Sequence, residues 1–167
     1  MKSRSVQELE TLYVTHYGAA KRFAYLLTGE ESSAEDIAQE AFVRMFSALM
    51  GIKAQAALPV YLRRIIVNLA TDRGRKRARE RRYLSSLPAE PEPAFFSEHV
   101  DQRDEMWTVL RRLPYRQRVA IVLRYHEDLS EIETAEVMGC STGSVKSYTS
   151  RGLKKLREQL QEVARNG

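Results

Sequence analysis

Apolar residues recur at helical spacing in several stretches of this chain, with polar residues filling the positions between them. Ile37, Ala38, Ala41, Phe42, Met45 and Phe46 form one such stripe. Ser32 and Glu35 stand ahead of it in the S-x-x-E pattern of a capping box. Tyr61, Leu62, Ile65, Ile66, Leu69 and Ala70 form a second stripe, and Pro59 suits the first turn of that helix. A short third stripe, Ile132, Ala135, Val137 and Met138, opens on the capping pair Ser130 and Glu133 and closes on Gly139. Ser141 or Thr142 caps the next helix, whose inner face is Val145, Thr149, Leu153, Leu156 and Leu160. Ala135, Gly139 and Val145 suit two helices that cross closely. No run alternates with the strand period, so the reading is all-α.

Charge changes this picture, because it is segregated by helix. Between Thr142 and Arg157 there is no acid, and Lys146, Ser147, Ser150, Arg151 and Lys154 fall off the apolar seam. A solvated helix face ordinarily mixes signs. A two-helix unit with a basic outer face fits a helix lying in the DNA major groove, with an ordinary helical hairpin as the plain alternative. Residues 73–82 are nearly solid Arg and Lys, an electrostatic footprint for a polyphosphate backbone. The stripe before them argues against a mere tail, and the lack of bulky apolar residues among them argues against a membrane-surface helix. Glu30, Glu31, Glu35, Asp36 and Glu40 are acidic, with no base until Arg44. The favourable placing of acids at a helix N-terminus covers Glu35 and Asp36, but Glu40 lies beyond the first turn and points to a basic partner. The net charge of +5 and pI near 9.4 suit a polyanion.

Three of the five prolines are Pro88, Pro91 and Pro93, in a segment too poor in apolar residues to order itself. Two small helical domains joined by a flexible linker follow: residues 1–83, a linker over 84–104, and residues 105–163. Each side has its own candidate core, the second built on Trp107, Leu110, Leu113, Val119, Ile121, Val122 and Leu123. The single cysteine, Cys140, excludes an internal disulfide, and His16, His99 and His126 are too scattered for a zinc site. No glycine-rich phosphate loop and no paired nucleophile and base occur, so neither catalytic residues nor a cofactor are expected. There is no signal-peptide pattern and no run long enough to span a bilayer, and the expected location is cytoplasmic, without membrane insertion.

The wording of three segments carries a family resemblance. SAEDIAQEAF (33–42) resembles the D-A-E-D-x-x-Q-E-x-F signature of sigma region 2. YLRRIIVNLATDRGRKR (61–77) resembles the W-L-x-x-I-x-x-N-x-x-x-D-x-x-R segment of the same region, with Tyr61 in place of the usual Trp. Residues 113–157 are similar to sigma region 4, with Tyr148 and Thr149 where many members carry Arg and Ile or Leu. In order and spacing the three resemble the small group-4, extracytoplasmic-function (ECF) sigma factors of bacterial RNA polymerase, with wording over 141–153 most like actinobacterial members.

The resemblance implies a transcription initiation factor that binds core RNA polymerase, on the clamp of the largest subunit and the flap of the second largest. It further implies promoter DNA and an anti-sigma factor as partners. Carried over residue by residue, Asp36, Gln39 and Glu40 match the core-binding positions. Tyr61, Arg64, Asn68, Asp72, Arg73, Arg75 and Lys76 match the part that faces the −10 element and aids melting. Ser144, Lys146, Ser147, Ser150, Arg151, Lys154 and Lys155 match the part that reads the −35 element. The loop over residues 50–58 matches a segment that holds a flipped base. A stand-alone helix-turn-helix regulator is the alternative: it accounts for residues 129–160, but not for the acidic helix or the second basic one.

Overall fold

The computed structural model describes residues 6–49, 58–85 and 104–167, and every regular element among them is helical. Three long helices come first: α1 (Val6–Thr28), α2 (Glu31–Leu49) and α3 (Leu58–Ser85). Four more follow: α4 (Glu105–Leu110), α5 (Tyr115–Ile121), α6 (Glu131–Met138) and α7 (Thr142–Asn166), with a π-helical turn, Val122–His126, continuing α5. The expected linker lies, over residues 86–103, outside the described residues, as do residues 50–57 of the loop matched to flipped-base binding.

Local chemistry explains the helix ends around α6 and α7. Ser130 caps α6 with both bonds of a capping box: its hydroxyl accepts from the Glu133 amide at 3.1 Å, and the Glu133 carboxylate accepts from the Ser130 amide at 2.8 Å. Those bonds hold the Glu133 carboxyl below the usual carboxylate range. Gly139 ends α6 in the left-handed region, at φ 63°. Ser141 caps α7 by accepting from the Ser144 amide at 3.0 Å.

The predicted Ser32 box does not form. α1 ends on Gly29 at φ 70°, and α2 begins two residues later at Glu31, so Ser32 is already inside the first turn. Its hydroxyl bonds the Glu30 carboxylate at 3.0 Å instead. Only Gly29 and Glu30 separate the two helices, which leaves no room for a later start.

The stripes of α2 and α3 are buried as the periodicity predicts: Ile37, Ala38, Ala41, Phe42 and Met45 on one, Leu62, Ile65, Ile66, Leu69 and Ala70 on the other. α1 packs against both, closing a three-helix unit. In α6 the buried side is Thr134, Ala135 and Val137, whereas Ile132 is 66% exposed. Ile132 and Thr134 lie about 200° apart around the helix, so only one of them can face inward. Leu160 is likewise exposed, because α7 has by then run past α5 and α6. α6 and α7 pack on each other around the Gly139 turn, and α7 also crosses α5 closely at Gly152: a Cβ there would lie 2.9 Å from the Ile121 side chain, whereas one at Gly139 would touch nothing.

The two helical parts that the sequence predicts pack on each other and share buried surface. One continuous cluster of buried residues runs from Phe23 and Phe42 through Ile66 to Leu110, Tyr115, Val119 and Val137. α3 packs on α6, and Trp107 of α4, 1% exposed, sits over Gly29. Apolar faces on the two segments are complementary, and small isolated units bury too little surface to leave them open to water.

Candidate nucleic-acid interface

The outer surface of α7 carries the predicted cations. Lys146, Ser150, Arg151, Lys154 and Lys155 are exposed, while Ser144 and Ser147 are half-buried. At 100° per residue, Lys146, Ser147, Ser150 and Arg151 share much of one side, with Val145 fully buried beneath them. Two members already have local partners. The Ser144 hydroxyl meets the Ser141 hydroxyl at 3.0 Å, which draws it into the cap. Lys146 Nζ lies 3.7 Å from Glu131 Oε2, an exposed pair worth little and readily exchanged for a phosphate.

α3 presents a second stripe. Tyr61, Arg64, Asn68, Asp72, Arg75 and Lys76 fall within an arc of about 120° on a helical wheel. All but Tyr61 are exposed; Tyr61 is half-buried against the core. Arg73 falls off this stripe and turns towards α2, where Nη1 lies 3.6 Å from Asp36 Oδ2. One turn on, Arg77 donates to Ser33 Oγ at 3.1 Å and pairs with Glu30 at 2.7 Å. Burial pushes the Glu30 carboxyl up, but the bonds from Arg77 and Ser32 outweigh it and leave the group below its ordinary value. The basic run therefore has two faces: Arg73 and Arg77 clamp α3 to the start of α2, and Arg75 and Lys76 face outward.

On α2, Asp36, Gln39 and Glu40 are exposed along one edge. Each has a neighbour. Asp36 faces Arg73, Gln39 lies in hydrogen-bonding range of the Tyr17 hydroxyl, and Glu40 accepts from Arg44 Nε at 2.9 Å. The Glu40–Arg44 pair is an exposed i,i+4 contact worth about 0.3–0.5 kcal/mol, so a partner with stronger charge can displace it.

The α3 stripe borders a cleft that α7 reaches through Tyr148, while the cations of α7 lie outside it. A cleft of about 660 Å³ has Asn68, Thr71, Asp72 and Arg75 of α3 on one wall and Tyr115, Arg116, Gln117 and Tyr148 on the other, with Arg44 of α2 also lining it. Arg116 and Arg44 did not figure among the sequence candidates, because neither falls in the two basic segments, 73–82 and 142–157. Arg118 carried a readable signal: a cation on the buried stripe of Tyr115, Val119 and Val122. It is 4% exposed, and its guanidinium donates to the carbonyls of Leu27 (2.8 Å), Leu110 (3.1 Å) and Leu113 (3.2 Å) while lying 4.9 Å from the Trp107 ring centre. Burial lowers its pKa to about 10, so it stays charged at neutral pH. Burial raises the neighbouring Tyr115 hydroxyl to about 12.

Among the described residues no helix is long and apolar enough to cross a membrane. Residues 12–80 match the family model for Sigma-70 region 2, and residues 103–156 match that for Sigma-70, region 4. The chain is similar to the RNA polymerase sigma-E factor of Streptomyces coelicolor, 35% identical over 161 residues, covering 96% of this chain and 89% of that one. It is also similar to the ECF RNA polymerase sigma factor SigW of Bacillus subtilis, 32% identical over 158 residues, covering 85% and 83%. Among solved structures it resembles the sigma factor RpoE in complex with the anti-sigma factor NepR from Bartonella quintana. That match has a TM-score of 0.75, with 25% identity, 93% of this chain and 98% of that one. The fold is also that of CnrH in complex with the cytosolic domain of CnrY, with a TM-score of 0.70 and 24% identity over 96% and 92%.

Proposed function

The chain belongs to the ECF group of the sigma-70 family of RNA polymerase sigma factors, and from that premise we infer how its surfaces divide the work of starting transcription. It is a promoter-directing initiation factor whose partners are core RNA polymerase, promoter DNA and an anti-sigma factor. A stand-alone regulator would leave the region 2 match over residues 12–80 without a role. Bond making belongs to the polymerase, and this subunit works in the cytoplasm by recognition and strand opening. Residues 1–83 serve as the core-binding and −10 domain, 84–104 as the linker, and 105–163 as the −35 domain.

The observation that carries the division is one stripe on α3, Arg64, Asn68, Asp72 and Arg75, that is polar along its length and backed by buried Leu62, Ile65 and Leu69. A melted strand needs such a surface, with cations for phosphate and an amide for a base edge. α7 reads the duplex at −35 through Lys146, Ser147, Ser150 and Arg151, with Lys154 and Lys155 on phosphate and Ser144 supporting the helix start. Asp36, Gln39 and Glu40 engage the clamp of the largest polymerase subunit, and residues 105–163 engage the flap of the second largest. Run-off transcription with core polymerase on a genomic promoter library tests the whole reading. Discrete transcripts that depend on this chain are expected, and their absence would refute it.

Two substitutions test the parts. Glu40→Lys should weaken core binding about tenfold, on the order of 1.4 kcal/mol, by setting like charge against a basic partner. Folding should survive, since only the Arg44 pair is lost. A pull-down titration with unchanged affinity and a normal helical spectrum would remove Glu40 from the interface. Asn68→Ala should leave core binding intact and reduce open-complex formation, because its exposed amide reads a base edge. Permanganate footprinting showing full strand opening by the mutant holoenzyme would assign that amide no part in melting.

A further inference from the structure

The cleft between α3 and α5 holds polar groups that the fold leaves unused. Arg75 and Arg116 line it from opposite walls, and neither forms an ion pair among the described residues. Both act electrostatically on the Tyr115 hydroxyl, so the two guanidiniums converge on one region. Like charges gathered in this way repel until an anion joins them. Asp72 lines the same cleft, exposed and also without an ion pair among the described residues. Gln117 is 9% exposed, and its Oε1 is buried with no hydrogen bond from any described residue. A buried acceptor without a donor is unfavourable and calls for an explanation. Tyr148 adds a half-buried aromatic ring. Two other lining groups are already engaged: the Thr71 hydroxyl with the Val67 carbonyl at 2.7 Å, and Arg44 with Glu40 at 2.9 Å.

We propose that this cleft is a binding site for a free guanine nucleotide that carries two or more phosphates. The two signs of charge select such a ligand. Arg75 and Arg116 present planar forks that match phosphate oxygens. Asp72 and Gln117 Oε1 accept and do not donate, so they need a group rich in N–H or O–H donors. Guanine offers an N1–H beside an N2 amino group, and its ribose adds hydroxyls. Adenine turns a ring-nitrogen lone pair towards the same acceptors. The Tyr148 ring supplies a stacking platform for the base. Inorganic phosphate would satisfy the arginines but leave Gln117 unmatched and meet Asp72 as a like charge. A cationic ligand would suit Asp72 but not the arginines. The volume of about 660 Å³ lies within the range of small-ligand sites. The site shares Asp72 and Arg75 with the stripe assigned above to the −10 strand, but it does not rest on that assignment.

Isothermal titration of the full chain with GDP, without DNA or polymerase, tests the site. GDP should bind and should raise the melting temperature, because it binds only the folded chain. ADP should bind about tenfold more weakly, for want of the paired donors. GMP should do the same, for want of the second phosphate. Two variants outside the promoter-reading residues locate the ligand. Arg116→Ala changes an exposed side chain and should weaken GDP about tenfold with the helical spectrum intact. Gln117→Met keeps the volume, removes the unmatched acceptor and should weaken GDP about tenfold while leaving the chain at least as stable. Absence of GDP binding would overturn the site, as would both variants binding GDP like wild type. Inorganic pyrophosphate as tight as GDP would reduce the cleft to an anion patch, and ADP as tight as GDP would refute the guanine assignment. A short mixed-sequence single strand that lost as much affinity as GDP in both variants would reassign the cleft to a promoter strand. A failure of the promoter reading shows in run-off transcription and leaves the GDP titration untouched.

Discussion

Gly29→Ala is expected to be among the most damaging single-atom additions this chain can receive, lowering stability by about 2–4 kcal/mol. Two causes add. At φ 70° any Cβ strains the backbone, by about 1–2 kcal/mol. The new methyl would also overlap the Trp107 ring, at 2.0 Å and 2.1 Å from two of its carbons. A ring that is 1% exposed and flanked by Arg118 and Tyr25 has nowhere to retreat. Gly139 supplies the control. It has nearly the same backbone, φ 63°, but a Cβ there would meet nothing within 4 Å. Gly139→Ala should therefore show the strain alone, about 1–2 kcal/mol. Urea denaturation followed by Trp107 fluorescence compares the two. Equal losses would mean that Trp107 does not press on Gly29 and that α4 is not anchored on the end of α1.

Arg151→Ala should change which promoters are used, while Lys155→Ala should change only how tightly all of them are held. Arg151 is exposed on the outward side of α7, one turn after Ser147, and its planar fork can bond two acceptors of a guanine edge. Its loss should cost about 1–3 kcal/mol and relax preference at one base pair of the −35 element. Ser147 and Ser150 are short enough to let the helix approach closely. Lys155 is exposed further along α7, where we propose that it holds phosphate as a point charge. Its removal should weaken every sequence about equally and flatten the dependence on salt. A randomised −35 library, transcribed at two salt concentrations, separates the roles. If Arg151→Ala kept the preferred sequence and altered only the salt slope, Arg151 would be a backbone contact.

The sequence by itself determined the helices, their inner faces and the sign of charge on each outer one. Helical period and capping are local properties, set by residues within a turn or two of each other. That is why the Ser130–Glu133 box, the Gly139 stop and the buried stripes of α2 and α3 were legible, and why the three family motifs could be placed residue by residue. Locality also explains what was misread. Ser32 looked like a cap because the left-handed Gly29, which forces α2 to start sooner, is placed by packing against Trp107 from the far part of the chain. Ile132 and Leu160 looked buried because a stripe says which residues align, and not where the neighbouring helix ends. Only the tertiary structure decided how the cations divide. Arg73 and Arg77 turn to Asp36 and Glu30 on another helix, whereas Arg75, a neighbour in the same run, faces the cleft. Nor could any periodicity show that the two candidate cores would merge. That depended on shape complementarity between segments separated by roughly eighty to ninety residues, from Gly29 to Trp107 and from Leu27 to Arg118, a distance over which sequence pattern carries no information about contact.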